Sequence, residues 1–178
     1  MKKILNDIKT FKGNVLTICV DDNKLVKELR KNNKINIVDF SRQTKRKIFS
    51  KKKKFKYSKG KSVKIKKFRK AFKKKSIDYV IIDLNNIFDY YKYMTSNSIY
   101  ICKNKIYIYG SSDYMNASLV AQKFERYNTT IEKIQDNDDY LVIVDCKKAK
   151  YNYFKEKFYL VIDSLHNLGD MISYFLTS

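Results

Sequence analysis

The chain of 178 residues contains no proline and no tryptophan, only four glycines and a single histidine. One histidine excludes a histidine-rich metal site, and we predict no metal centre. The three cysteines, Cys19, Cys102 and Cys146, lie within apolar runs and do not have the spacing of metal ligands, so we expect buried, reduced thiols. The P-loop, G-x-S-x-G and H-E-x-x-H motifs are also absent, and with them three common catalytic templates.

Long hydrophobic runs are missing as well. No apolar run approaches the roughly 18 residues that a membrane-spanning helix needs. The first six residues lack the continuous apolar segment of a signal peptide. We therefore expect a soluble, cytoplasmic protein with no membrane span.

Positive charge is abundant, and it is concentrated in one segment. The chain has 39 Lys and Arg against 18 Asp and Glu, a formal net charge of +21. The segment Arg42–Lys75, which we call the basic block, holds 19 basic and no acidic residues, which leaves 20 basic and 18 acidic elsewhere. Such a local excess of positive charge attracts polyanions, chiefly nucleic acid.

The basic block has an ordered pattern of apolar residues. These residues alternate with lysines over 54–57 and over 63–66, on either side of a turn that contains Gly60. This pattern predicts a β-hairpin, and the spacing of Phe68 and Phe72 predicts a short basic helix after it. A solvated, partly disordered lysine loop is the alternative, because runs of lysine repel one another.

We predict that the basic block contacts nucleic-acid phosphates. RNA is preferred, because phosphate contacts without an evident base-reading helix suit recognition of structured RNA by its shape. The predicted contacts are made by Lys45, Arg46, Lys51, Lys52, Lys53, Lys54, Lys64, Lys66, Lys67, Arg69 and Lys70.

The rest of the chain alternates apolar runs with amphipathic segments. Strands are predicted at 15–20, 35–38 and 77–82, and each is followed directly by an aspartate. A helix capped by Asp22 connects the first two strands, so the first 40 residues form a βαβ unit with parallel strands. The fold class is therefore α/β, a single three-layer domain over 1–178 with a mainly parallel sheet and the inserted basic hairpin and helix.

Further elements are expected after the third strand. They are a helix at 85–94, strand-like segments at 98–101 and 105–109 that could form a hairpin, a long helix capped by Asp113 with Leu119 facing inward, strands at 140–144 and 158–162, and a C-terminal helix at 165–175.

The order of these elements resembles that of a class I, Rossmann-like methyltransferase. In this resemblance, 15–21 is the first strand, 35–39 the second and 77–83 the fourth. The resemblance implies that Asp39 holds the cofactor ribose and that Asp83 is a catalytic or cofactor-facing acid. Asp21 would join them in cofactor binding.

One departure from that family stands directly after the first strand. Its glycine-rich turn is replaced by Asp21–Lys24, whose side chains would intrude on the cofactor and whose carboxylates would repel it. We therefore expect a catalytically degenerate, non-enzymatic domain that binds nucleic acid and takes no cofactor. One alternative is an S-adenosylmethionine-dependent methyltransferase acting on nucleic acid. Another is an interaction protein that docks on an acidic protein or an anionic membrane.

Overall fold

The computed structural model describes residues 2–40, 72–86, 97–113 and 115–152, together with the single positions 154, 158 and 161. The predicted basic hairpin, most of the helix expected at 85–94 and the C-terminal helix lie outside the described residues.

Helices and strands alternate through the described part of the chain. The elements are α1 (Lys2–Ile8), β1 (Gly13–Ile18), α2 (Asn23–Lys31), β2 (Ile35–Phe40), β3 (Ile77–Asp83), a 3₁₀-helix (Leu84–Asn86), a helical segment at 97–101, β4 (Cys102–Ser111), α3 (Ala117–Glu125), β5 (Thr130–Asp136) and β6 (Asp139–Asp145).

The described strands form one sheet in the order β2-β1-β3-β4-β6-β5. The four strands β2, β1, β3 and β4 are parallel, and β6 runs antiparallel to both of its neighbours. This topology confirms the predicted α/β, Rossmann-like fold with a mainly parallel sheet.

The sheet has apolar cores on both faces because successive side chains of a strand point to opposite sides. From β1, Leu16 and Ile18 pack in the same core as Phe124 of α3. Val15 packs in the other core, with Ile8 of α1 and Leu29 of α2. The result is three layers, as the near-continuous apolar runs predicted.

The segment at 97–101 is helical, so the strand and hairpin expected there are wrong. The reason is topological: β4 pairs with β3 in parallel, and a parallel neighbour requires a crossover rather than a tight hairpin. The buried Ile99 and Ile101 therefore cover the core from a crossover helix.

Helix α3 begins later than expected. Its N-cap is Asn116, whose side-chain oxygen accepts a hydrogen bond from the Ser118 N–H at 2.7 Å, and not Asp113. From this start, the buried face is formed by Ala117, Val120, Ala121 and Phe124. Leu119 consequently lies on the outer face and is 55% exposed, against the prediction.

Two further predictions about strands differ from the structure. The edge strand β5 was not expected, since most of its side chains are polar and exposed. The strand expected at 158–162 is wrong, because positions 158 and 161, the two described residues of that segment, are helical.

Among the described residues, no helix is long and apolar enough to cross a membrane.

Candidate ligand site at the carboxyl ends of the strands

The candidate site lies where the order of the parallel strands reverses. Strand β1 has β2 on one side and β3 on the other, and ligands of open α/β sheets bind beyond the strand ends at such a switch point. Thr17 is paired with Asp39 of β2, and Ile18 is paired with Ile82 of β3. Asp39 and Asp83 therefore flank the carboxyl end of β1, as the strand-ending aspartates predicted.

Asp39 is held by a neighbouring strand. The hydroxyl of Thr17, which is fully buried, donates a hydrogen bond to Asp39 Oδ1 at 2.8 Å. Burial raises the pKa of Asp39, and the bond from Thr17 opposes that rise because it favours the ionised form. Asp39 is thus a half-buried, oriented carboxyl group.

Asp83 is the most buried acid at this edge, with 4% of its surface exposed. Its Oδ2 accepts hydrogen bonds from the Tyr109 hydroxyl at 3.0 Å and from the Asn86 side chain at 2.8 Å. Its Oδ1 accepts the Asn85 backbone N–H at 3.1 Å. Burial raises the pKa of Asp83, the three hydrogen bonds oppose this rise, and the nearby charge of Asp22 adds to it.

Asn86 connects the loops that follow β1 and β3. Besides binding Asp83, its side-chain amide donates to the Cys19 carbonyl oxygen at 3.1 Å. Cys19 has a φ of +54°, a left-handed conformation that glycine adopts most readily. The chain therefore makes a tight turn after β1 without glycine, and contacts from the β3 side support that turn.

The two acids after this turn have different surroundings. Asp22 is the N-cap of α2, and its Oδ1 accepts the Leu25 N–H at 2.6 Å, so its negative charge faces the positive end of the helix dipole. Asp21 is exposed on the loop. The repulsion expected between these two carboxylates and the cofactor is therefore reduced, because the Asp22 carboxylate caps α2.

Three residues of this edge were not predicted: Thr17, Asn86 and Tyr109. Thr17 was the one polar residue within the first apolar run, and the pair Asn85–Asn86 directly followed a strand-ending acid. Both features could have been used to predict these residues from the sequence. No local feature indicated Tyr109, because it lies 26 residues from Asp83 in sequence and only the pairing of strands brings the two together.

All eleven predicted phosphate-contacting residues, Lys45 to Lys70, lie outside the described residues. The last lysine of the basic block bonds to the backbone of the domain itself. The ammonium of Lys75 donates to the backbone carbonyl oxygens of Cys102 at 2.7 Å and Cys146 at 3.3 Å. Lys75 therefore anchors the end of the basic block to the body of the domain.

Comparison with solved structures identifies the fold. A putative S-adenosyl-L-methionine-dependent methyltransferase from Methanococcus maripaludis matches with a TM-score of 0.53 and 11% identity, over 85% of this chain and 84% of that one. The precorrin-6y C5,15-methyltransferase of Geobacter metallireducens matches with a TM-score of 0.51 and 9% identity, over 81% and 86%. An O-methyltransferase family protein of Burkholderia thailandensis matches with a TM-score of 0.51 and 7% identity, over 81% and 55%.

No protein-family model and no curated protein matches the chain. The structural neighbours establish that the domain has the Rossmann-like fold of class I S-adenosylmethionine-dependent methyltransferases.

The expectation of a domain without a cofactor is wrong, because the neighbours point to S-adenosylmethionine rather than to no cofactor. That expectation rested on the missing glycine loop. The described residues show how the turn after β1 forms without glycine and with less charge repulsion. Cys19 adopts the left-handed conformation, and the Asp22 carboxylate faces the N-terminus of α2.

Proposed function

We propose that this chain binds S-adenosylmethionine at the carboxyl ends of β1, β2 and β3 and transfers its methyl group to nucleic acid, with RNA preferred. The observation that carries the proposal is the placement of Asp39 and Asp83 on either side of the end of β1, in a domain with a methyltransferase fold.

The residues of the site suit such a cofactor. A carboxylate offers about four lone-pair positions, and the Thr17 hydroxyl takes one on Asp39. Asp39 therefore retains the capacity to accept hydrogen bonds from a vicinal diol such as a ribose. Its position at the end of β2 also matches the acid that the family resemblance assigns to this role.

When bound, S-adenosylmethionine supplies an electrophilic methyl group. The chain's own contribution is positioning. The oxygens of Asp83 are occupied by Tyr109, Asn85 and Asn86, so this acid organises the 3₁₀-helix after β3 rather than reaching out to a substrate. Through Asn86 the same network holds the turn at Cys19, over which the cofactor would lie.

Calorimetric titration with S-adenosylmethionine tests this proposal. Asp39→Ala should weaken binding by roughly 10- to 100-fold, since hydrogen bonds to a charged group contribute about 1.5–3 kcal/mol. Asp136→Ala is the matched control, because Asp136 is exposed and ends β5, four strands or about 19 Å from β1. No heat with the unaltered protein at millimolar cofactor, or equal losses in both variants, would refute the proposal.

A second candidate function is nucleic-acid binding by the basic block without methyl transfer. It is favoured by the split of 19 basic residues against none in Arg42–Lys75. RNA affinity should then fall steeply with salt, and exchanging Lys51–Lys54 for glutamine should weaken it at low salt. A slope near zero would reject this function, and stronger sedimentation with anionic vesicles than binding to RNA would favour docking on a membrane.

A further inference from the structure

A groove runs between α1 and α2, on one face of the sheet. It has a volume of about 580 Å³. Its walls carry four lysines and one glutamate, with an apolar side chain from α1: Lys9, Lys24, Lys27, Lys31, Glu28 and Leu5. This groove belongs neither to the basic block nor to the edge that carries Asp39 and Asp83.

Three of the lysines form a row along α2. Lys24, Lys27 and Lys31 are spaced three and four residues apart, so they project from one side of the helix. All three are exposed, while Leu25, Val26 and Leu29 on the other side are buried in the core. At a rise of about 1.5 Å per residue, the row is about 10 Å long and is held on a packed helix.

The positive charge of the groove is not cancelled by nearby acids. Glu28 is bound by Lys31 at 2.7 Å, and this bond lowers the pKa of Glu28. The groove walls therefore carry four positive charges and one negative, a net of +3. Over residues 2–34 as a whole there are nine basic and four acidic residues.

Two other acids of this region are engaged elsewhere. Asp7 accepts the Tyr107 hydroxyl at 3.0 Å and lies 3.9 Å from Lys3, and Asp22 caps α2. Like charges three and four residues apart destabilise a helix. Glu28 is the one acid within the row and it pairs with Lys31, so it offsets only part of this repulsion. A row that keeps three exposed lysines beside a single acid is therefore explained better by an anionic ligand than by stability.

We propose that this α1–α2 groove binds the phosphodiester backbone of a nucleic acid strand. A row of lysines about 10 Å long can contact more than one phosphate of the strand. Lysine side chains contact phosphates as point charges and do not read bases. The groove is thus a sequence-independent track, built from residues outside the basic block.

The position of the groove relates it to the candidate site. Lys24 lies two residues after Asp22, at the edge of the sheet where β1 ends, and Lys31 lies at the far end of α2. A strand in the groove would reach the edge that carries Asp39 and Asp83. The inference shares the nucleic-acid partner of the proposed function, but it does not depend on methyl transfer.

The test uses the full chain and a 5′-labelled single-stranded RNA of about 20 nucleotides, with fluorescence anisotropy measured over a range of salt concentrations. The double variant Lys24→Gln/Lys27→Gln should weaken binding by roughly 3- to 10-fold at low salt, and the slope of log affinity against log salt should become shallower by about 1.4. Lys24→Arg/Lys27→Arg should restore both quantities.

The matched control is Lys133→Gln/Lys147→Gln, which removes the same charge from exposed positions in and after the β5–β6 hairpin. It should leave the salt slope within about 0.5 of the unaltered value. Equal slopes for the groove and control variants would overturn the proposal, as would tighter binding of an acidic protein than of RNA. Calorimetry with S-adenosylmethionine on the same variants tests the methyltransferase proposal separately.

Discussion

Asp39 and Asp83 are carboxyl groups that folding removes from water, and burial raises the pKa of both. A raised pKa means that the folded state holds the proton more tightly than the unfolded chain does. The associated stability is fully present below the unfolded pKa, about 3.9 for aspartate, and is lost as pH rises through the folded pKa. At neutral pH both acids therefore lower stability, which is typical of residues kept for function.

Asp39→Asn tests this at the residue scale. The amide oxygen can still accept the Thr17 hydroxyl, but the buried charge is gone. We expect the variant to be more stable than the unaltered protein at pH 7.5, on the order of 1 kcal/mol or about 2–4 °C in thermal midpoint. The difference should shrink towards pH 4. An asparagine variant that is less stable at pH 7.5 would contradict the assignment.

Tyr109→Phe removes one hydrogen-bond donor from Asp83 without changing the packing of the ring. The loss of a donor to a buried carboxylate should destabilise the protein by about 1.5–3 kcal/mol at neutral pH. Because that bond favours the ionised form, the pKa of Asp83 should rise further. The destabilisation should then be smaller at pH 4.5 than at pH 7.5, as urea unfolding at both values would reveal.

At the scale of the element, α2 supports both the site and the proposed groove. Its N-cap Asp22 fixes where the helix begins, and therefore where Lys24 and Lys27 project. The same residue closes the turn after β1. One side chain thus connects the loop of the candidate site with the lysine row of the groove.

Asp22→Ala should cost about 1 kcal/mol and lower the thermal midpoint by about 2–4 °C, because the Leu25 N–H loses its acceptor. Asp22→Asn retains a capping oxygen and should fall within about 0.5 kcal/mol of the unaltered protein. If both variants were equally destabilised, the charge of Asp22 rather than its cap would matter. Circular dichroism during thermal unfolding measures both.

At the scale of the whole molecule, a ligand that binds only the folded state stabilises all of it. S-adenosylmethionine at 100 times its dissociation constant should add about 2.7 kcal/mol, which corresponds to about 5–10 °C in thermal midpoint. Asp39→Ala should lose most of that shift at the same concentration, whereas Asp136→Ala should retain it. Differential scanning fluorimetry provides the measurement.

The sequence by itself determined the α/β class, the parallel βαβ unit and the acids Asp39 and Asp83 at the strand ends. These features follow from local patterns, because a buried strand needs a run of apolar residues and a helix needs an apolar stripe. Local patterns also misplaced the start of α3 and the segment at 97–101, where the topology of the sheet decided the outcome.

The tertiary structure alone decided which side chains meet. The bond from Tyr109 to Asp83, the bridge from Asn86 to Cys19 and the bond from the Lys75 ammonium to Cys146 join residues 26 to 71 positions apart. The α1–α2 groove also depends on tertiary packing, because Lys9 follows α1 and the other three lysines lie on α2. No local pattern encodes such contacts, because sheet order and helix packing set the distances between elements.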